Sequence, residues 1–459
     1  MVTLNNMKKI VPILFAAALF CCTTPIAATA QSDHTYPPQY GKPFTGVPDR
    51  RDVVLYQVNT RSFSKEGKFT AVTARLDSIK ALGVNMIYLM PIYPVGKLKS
   101  TNSPYATRDY NEVGSEFGTL DDLRALVDGA HQRKIAVMLD IVANHTSWDN
   151  PWIANKGWYE QDSTGKIKYP QNWYDVAQLN FKNADMRLAL VHAMKSWVLK
   201  ANIDGFRCDY ADGPPADFWK QALDTLKNIK THKLLFLAEG SRSSNYAAGF
   251  DYNFGFNFFG HLKAIYERNR SVKTIDTVNK RDYEGTVEGQ AMVRYLTNHD
   301  VNSSDGTPLD LFGGKKGSMA AFVVVAYMKG IPMIYNGQEI ATPYRLVFPF
   351  TGAKIDWSLG AANQDVTAAY KKIIAFHNKS EAIRRGTLNS YSSDDVCAFT
   401  KEVGSQKVFV LSNLRNKAVT YTVPADLVNT SWKDAFDGEK IKVAAVVSLE
   451  PYQYLVLKN

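Results

Sequence analysis

Three acidic residues, each at the end of a short apolar run, constrain the fold of this chain more than any other feature. They are Asp209 in IDGFRCD, Glu239 in KLLFLAEG and Asp300 in VRYLTNHD, and the intervals between them are 30 and 61 residues. A (β/α)8 barrel uses about 31 residues for each strand-plus-helix unit. The three acids therefore fit the carboxyl ends of strands 4, 5 and 7, where barrel enzymes place their catalytic groups.

The hydrophobic pattern supports a barrel. Continuous apolar runs predict buried parallel strands, and amphipathic runs between them predict helices, with Thr119 as the N-cap of one helix. The strand runs are VVLYQVNT, VNMIYLMP, IAVMLDIVANH, IDGFRCD, LLFLAEG, part of FDYNFGFNFF, AMVRYLTN and GIPMIYNGQE. Residues 31–145 and 186–378 are thus predicted to form the catalytic barrel.

Two segments depart from this repeat. The 69 residues between Asp140 and Asp209 exceed one unit, and the excess is a polar, aromatic stretch. It predicts an inserted subdomain, residues 146–185, that overhangs the active face after strand 3. Beyond residue 379, runs such as VCAFTKEV and KVFVLSNL alternate with period 2, which predicts a C-terminal antiparallel β-sandwich at 379–459. The fold class is therefore α/β, a TIM barrel with a small insertion and a β-sandwich domain.

The first thirty residues have the pattern of a secretory signal peptide. Lys8 and Lys9 precede an 11-residue apolar run, and Ala28-Thr29-Ala30 matches a cleavage site before Gln31. The run is too short to span a membrane. Export to the periplasm or the medium is predicted. Lipid attachment at Cys21 is the rival interpretation, disfavoured because Phe20 stands where a small residue is usual.

The composition limits the classes of molecule that this chain is expected to bind. The formal charge of +10 falls to +8 without Lys8 and Lys9, and the basic residues are scattered rather than clustered as in a nucleic-acid arm. Aromatic residues make up 12% of the chain, and their flat faces suit sugar rings. Cys208 and Cys397 are too few and too distant for a disulfide framework, so both are expected to be buried and unpaired. We expect a monomer without nucleic-acid partners.

Three carboxyls that converge in one pocket indicate acid–base or covalent catalysis on a polar, uncharged substrate, and glycoside hydrolysis fits best. Arg207 stands two residues before Asp209 and points the same way from its strand. Its positive charge is expected to keep the Asp209 carboxylate ionised. Asp140 is expected to be a structural partner within the strand layer.

Four motifs resemble those of the α-amylase superfamily, glycoside hydrolase family 13. They are DIVANH (140–145), GFRCD (205–209), FLAEG and NHD (298–300), in the family's order. The resemblance implies that Asp209 is the nucleophile, that Glu239 is the general acid and base, and that Asp300 holds the distorted sugar. It also implies substrate contacts from four residues, which are Tyr105, His145, Arg207 and His299.

The resemblance leaves calcium open. No cofactor is required for the chemistry, but the family often holds a structural calcium, and Asn144 matches one ligand position. Gln178 stands where the family's inserted aspartate is expected, although Asp175 is close enough in the sequence to substitute for it. Tyr210-Ala211 replaces a Lys-His pair.

The sequence therefore predicts an exported α-amylase-type hydrolase that cleaves α-1,4 bonds of starch or maltooligosaccharides with retention. An α-glucosidase or α-glucan transferase of the same superfamily is the nearest alternative. A non-catalytic glycan-binding protein is the remote one, because all three acids are present.

Overall fold

The computed structural model describes residues 35–459, so the predicted signal peptide and Cys21 lie outside the described residues. Eight parallel strands close into a barrel in which each strand pairs with its sequence neighbours and the last pairs with the first. The strands are β1 (Leu55–Val58), β2 (Met86–Leu89), β3 (Ala136–Ile141), β4 (Gly205–Cys208), β5 (Leu235–Ala238), β6 (Tyr252–Phe254), β7 (Ala291–Tyr295) and β8 (Ile331–Tyr335). The predicted barrel is confirmed.

Helices surround the barrel, and the longer amphipathic ones bury one face against it. In the helix Ala216–Lys227, for example, Phe218, Ala222 and Leu226 recur at helical spacing and are buried. The α-helices are Thr60–Phe63, Phe69–Ala74, Leu76–Ala81, Leu120–Gln132, Ala184–Ala201, Ala216–Lys227, Ser243–Ala248, Phe256–Glu267, Lys273–Asp282, His299–Ser304, Pro308–Leu311, Gly314–Tyr327, Leu359–Ala362, Gln364–Lys379 and Glu381–Arg385. None of the helices in the described part of the chain is long and apolar enough to cross a membrane.

The start of the helix Leu120–Gln132 confirms the predicted cap. The Thr119 hydroxyl accepts the Asp122 backbone N–H at 3.1 Å, and the Asp122 carboxylate accepts the Thr119 N–H at 2.8 Å. This reciprocal pair satisfies two donors that the helix leaves free. Apolar residues at helical spacing from Val72 to Leu82 predict one continuous helix, but the structure breaks it at Arg75. Arg75 is not helical, and its guanidinium stacks on the Trp357 ring at 3.8 Å.

The insertion after β3 begins with an antiparallel pair of short strands, His145–Ser147 and Val176–Gln178. The C-terminal strands are β9 (Thr387–Ser390), β10 (Val396–Val403), β11 (Gln406–Asn413), β12 (Val419–Thr422), β13 (Ser431–Asp434), β14 (Lys440–Lys442), β15 (Val446–Leu449) and β16 (Tyr454–Lys458). They form a six-stranded sheet, β9-β10-β11-β16-β13-β14, and a second sheet, β12-β15. Cys208 and Cys397 are buried free thiols, as expected.

Candidate active site

The two central carboxyls follow two adjacent strands at the same level. Cys208 ends β4, Ala238 ends β5, and these two residues are paired in register. Asp209 and Glu239 are the next residues in the chain. Since neighbouring strands lie about 4.8 Å apart, the register brings both side chains to one point at the carboxyl end of the barrel.

A single buried guanidinium joins these groups. Arg207 in β4 has no solvent exposure and lies opposite Asp140 of β3. Its Nη1 donates to the two Asp140 oxygens at 2.7 and 2.8 Å and to Oδ1 of Asp209 at 2.9 Å. Its Nη2 contacts Oε1 of Glu239. The other oxygen, Oε2, accepts the Tyr210 backbone N–H at 2.7 Å. Arg207 therefore joins the carboxyls of Asp140, Asp209 and Glu239 into one unit.

One positive charge faces three carboxyls in this unit, so ionising all three would leave an excess of negative charge in a buried place. Burial, followed by the charge of Glu239, raises the pKa of Asp209, and Arg207 opposes the rise. Burial also raises the pKa of Asp140 to about 6, again against Arg207. The repulsion favours one retained proton among the carboxyls, as a site that combines a carboxylic acid with a carboxylate needs.

Asp300 comes from a different wall of the site. It lies in the first turn of the helix His299–Ser304, which follows β7. Its side chain is 65% exposed, against 10% for Asp209. Asp300 therefore reaches into open space, where it can meet a bound molecule, whereas Asp209 is held at the floor.

The Nδ1 atom of His299 lies 2.8 Å from the side-chain nitrogen of Gln57. An amide nitrogen only donates, so Nδ1 accepts and Nε2 carries the proton. Nε2 lies 2.7 Å from the Tyr105 hydroxyl oxygen and donates its proton to that oxygen. The same hydroxyl lies 3.4 Å from Oδ2 of Asp140. Burial, then the nearby Arg207 charge, lowers the pKa of His299 to about 3. The ring is therefore neutral and fixed in one tautomer.

His145 is also buried and neutral, because desolvation lowers its pKa to about 4. The Asn144 side-chain nitrogen lies 3.3 Å from its Nδ1. With Nδ1 accepting that hydrogen bond, Nε2 is the protonated nitrogen and is the one able to donate to a ligand. The ring meets Trp173 of the insertion edge-on, with centroids 5.5 Å apart.

The surroundings of Asn144 do not fit a calcium ion. The Gln178 side-chain nitrogen donates to the Asn144 carbonyl at 3.1 Å, to its Oδ1 at 3.2 Å and to the Leu179 carbonyl at 3.3 Å. An N–H donor thus occupies the point where these oxygens converge, whereas calcium requires six to eight oxygen ligands there. Between residues 35 and 459, no group of three His, Cys, Asp or Glu side chains is arranged for a metal. Asn144 as a calcium ligand stays a prediction, which this amide pair disfavours.

An open cleft of about 1010 Å³ covers these groups. Six of the predicted residues line it: Tyr105, His145, Asp209, Glu239, His299 and Asp300. Arg207 supports the floor from within the barrel, and Asn144 is buried beside His145.

Aromatic side chains that the sequence analysis did not select form the rim. Tyr174, Phe348 and Phe256 line the cleft and are 60%, 44% and 38% exposed. Single exposed apolar residues are ordinary, but exposed rings gathered around one cleft form a patch of the kind that marks a binding site. Their sequence signal is weak, because all three lie in loops or at a helix start where aromatic residues are otherwise read as core.

The sequence analysis did not select Gln57 and Tyr88 as site residues, for a different reason. Both lie inside apolar strand runs, and only the barrel interior reveals that Gln57 reaches His299 and that Tyr88 donates to Oδ2 of Asp140 at 2.9 Å. Of the tryptophans in the insertion, Trp173 lines the cleft. Trp152 and Trp158 pack edge to face at 5.2 Å and hold the insertion together.

The sequence model of the family described as the α-amylase catalytic domain matches residues 56–422 of this chain. An α-amylase of Haloarcula japonica is 25% identical over 439 residues, which are 89% of this chain and 63% of the relative. An α-amylase of Dictyoglomus thermophilum is 27% identical over 395 residues, 81% of this chain and 67% of the relative. The chain thus spans about two thirds of the length of these relatives. Other relatives are named neopullulanase, cyclomaltodextrinase and maltogenic α-amylase.

Among solved structures, an α-amylase from Lactobacillus plantarum superposes with a TM-score of 0.78 at 26% identity. The match covers 90% of this chain and 99% of that structure.

Proposed function

The chain belongs to the α-amylase family of glycoside hydrolases, and we propose that it cleaves α-1,4-glucosidic bonds of starch or maltooligosaccharides with retention. The observation that carries the proposal is the Arg207 unit, in which Asp209 and Glu239 contact one guanidinium at the floor of an open cleft. Retaining glycosidases need two neighbouring carboxyls, about 5–5.5 Å apart, because one of them must attack the sugar directly.

In the first step, the Asp209 carboxylate attacks the anomeric carbon, and the bond from that carbon to the leaving oxygen breaks. Glu239 gives its proton to the leaving oxygen, so that the departing sugar leaves as an alcohol. Arg207 holds Oδ1 of Asp209 at 2.9 Å and keeps the attacking group in place. The Tyr210 N–H, which donates to Oε2 of Glu239, holds the acid in the same way.

In the second step, Glu239, now ionised, takes a proton from water, and the resulting hydroxide displaces Asp209 from the anomeric carbon. The free carboxylate of Asp209 and the protonated Glu239 are restored. The other residues bind the sugar. The Nε2–H of His145 donates to a sugar hydroxyl, and the exposed Asp300 accepts from sugar hydroxyls. The aromatic ring of Tyr105 and its partner His299 lie beside the sugar ring.

The shape of the cleft favours oligosaccharides over a single terminal glucose. It is open and at the upper end of the usual size of ligand pockets. Tyr174 of the insertion and Phe348 beyond β8 place exposed rings at its edge, where further sugar units can stack.

An α-glucosidase or an α-glucan transferase uses the same chemistry and is the second candidate. Export through the signal peptide at residues 1–30 is part of the proposal, because starch and its fragments lie outside the cell.

A product time course tests the assignment. Soluble starch, maltotriose and a short α-glucoside are incubated with the wild type and with Glu239→Gln. Mixed maltooligosaccharides with an early loss of viscosity are expected. Glucose alone, released mainly from the short substrates, would make the enzyme an α-glucosidase, and products longer than the substrate would make it a transferase. Activity no higher than that of Glu239→Gln on every substrate would overturn the hydrolase proposal in favour of a glycan-binding protein.

A further inference from the structure

A second large cavity, of about 800 Å³, lies at the opposite end of the barrel from the carboxyls. One wall is formed where β7 and β8 begin, at Ala291 and Ile331. The facing wall belongs to the C-terminal strands and includes Leu388 and Lys401. We call it the basic cleft.

The side chains that line the basic cleft carry more positive than negative charge. Six basic and two acidic side chains line it, namely Arg51, Lys280, Lys329, Arg384, Arg385 and Lys401, with Asp276 and Glu288. The three arginines have carboxylate partners in Asp49, Glu288 and Asp52. None of the three lysines has a carboxylate within 4.0 Å among the residues from 35 to 459.

Lys401 is the most unusual of the three. It is only 2% exposed, and its ammonium group donates to the backbone carbonyl of Ile383. Burial, followed by repulsion from Lys329, lowers its pKa to about 7. Nε of Arg384 is also buried in this wall, with no hydrogen-bond partner in the described part of the chain. Buried cations are normally paired with a carboxylate, so this wall presents to the cavity one buried ammonium without a carboxylate and one guanidinium N–H without an acceptor among residues 35–459.

We propose that the basic cleft binds a small phosphate-type oxyanion, free or as a monoester, between Lys280, Lys329 and Lys401. Lysines bind phosphate as point charges, and a dianion can neutralise two ammonium groups that otherwise repel each other. The cavity is wider than an inorganic ion, so it leaves room for the organic part of a monoester. Because Lys401 belongs to β10 and Lys329 precedes β8, the anion would join the C-terminal sheet to the barrel.

The test is calorimetric titration and thermal unfolding of the full chain in inorganic phosphate and in glycerol 3-phosphate. Potassium chloride at equal ionic strength is the reference, because general screening acts equally in both salts. We expect saturable binding of one anion and a higher melting temperature than in chloride. Tighter binding of glycerol 3-phosphate would identify the ligand class as a monoester, and tighter binding of inorganic phosphate would identify the free ion.

Matched variants locate the site. Lys280 and Lys329 are exposed, so the double variant Lys280→Gln/Lys329→Gln should fold, and we expect its dissociation constant for phosphate to rise at least about tenfold. Lys316→Gln, an exposed lysine outside the cleft, should bind as the wild type does, and turnover of maltooligosaccharides should be unchanged in both. Equal melting temperatures in phosphate and chloride, or undiminished binding in the double variant, would overturn the proposal.

Discussion

At the scale of single residues, the chemistry depends on how one guanidinium is shared. Arg207 contacts Asp140, Asp209 and Glu239 at once, so one positive charge serves three carboxyls. The expectation from sequence was simpler, with Arg207 keeping Asp209 ionised and Glu239 carrying the proton. Burial instead raises the pKa of Asp209 and of Asp140 as well. Burial thus opposes the ionised form of Asp209 that the mechanism requires, and the contact with Arg207 offsets part of that effect.

The roles of the two catalytic carboxyls can be separated with an activated substrate. In Glu239→Gln, turnover on starch should fall about 10²–10⁴-fold, because the leaving oxygen receives no proton. An α-maltosyl fluoride needs no such proton, since fluoride leaves as an anion. Asp209 should therefore still attack, but no base activates water, and the glycosyl-enzyme should accumulate and be seen by intact-mass spectrometry.

Two further variants control this experiment. Glu112→Gln, which changes an exposed carboxylate outside the cleft, should turn over starch at the wild-type rate. Adding Asp209→Ala to Glu239→Gln should abolish the adduct. An adduct that persists in the double variant would place the nucleophile on another residue.

At the scale of elements, the insertion is fastened to the barrel by an amide pair. Gln178 ends one strand of the insertion hairpin, and its side chain bonds to Asn144, the residue before the other strand. Because a neutral N–H donor links the oxygens, EDTA should change neither the melting temperature nor the activity of the wild type.

Gln178→Asp should create calcium dependence, because it removes the N–H donor and adds a carboxylate beside Oδ1 of Asn144. Without calcium, the variant should unfold at a lower temperature than the wild type, and calcium should raise that temperature. Gln171→Asp, an exposed position in the same insertion, should not respond to calcium. A fall in the wild-type melting temperature in EDTA would contradict the argument.

The elements also show what sequence can and cannot give. Strands were predictable because parallel barrel strands are continuous apolar runs, and the catalytic acids follow from their even spacing. The break in the helix at Arg75 was not predictable, because the stacking of Arg75 on Trp357 joins residues far apart in the chain. The roles of Gln57 and of the exposed ring of Phe348 were not predictable either. Their roles arise where distant loops and strand ends converge, and local patterns carry no information about such contacts.

At the scale of the whole molecule, Arg415 connects the C-terminal sheets to the barrel. It is 7% exposed and donates to the carbonyls of Ile265 and Arg270 at 2.6 and 2.7 Å, and to Asp395 at 2.7 Å. Arg415→Ala leaves the carbonyls of Ile265 and Arg270 without their donor and should cost about 1–3 kcal/mol. Calorimetry should show the C-terminal sheets unfolding before the barrel. Lys417→Ala, whose side chain is 62% exposed, is the matched control. A single unshifted transition in Arg415→Ala would show that apolar packing alone holds the parts together.

Among residues 35–459, three buried histidines make the fold sensitive to acid. The pKa values of His145 and His377 are lowered to about 4 and that of His299 to about 3, in each case chiefly by burial. The unfolded chain takes up these protons near pH 6.5. The contribution of each ring to stability is therefore complete above pH 6.5 and is lost as the pH falls towards 4. The raised pKa values of Asp140 and Asp209 act in the opposite direction, since their protonation in acid favours the folded state.

His377 isolates this effect, because it is 1% exposed and lies in the helix Gln364–Lys379, outside the catalytic cleft. A pKa lowered from 6.5 to about 4 corresponds to on the order of 3 kcal/mol of stability. His377→Gln keeps a polar side chain but cannot be protonated. Urea unfolding at pH 7, 5.5 and 4 should show the wild type losing about that much more stability than the variant. If the two proteins lose stability in parallel, the His377 ring is already charged in the folded state and burial does not control its titration.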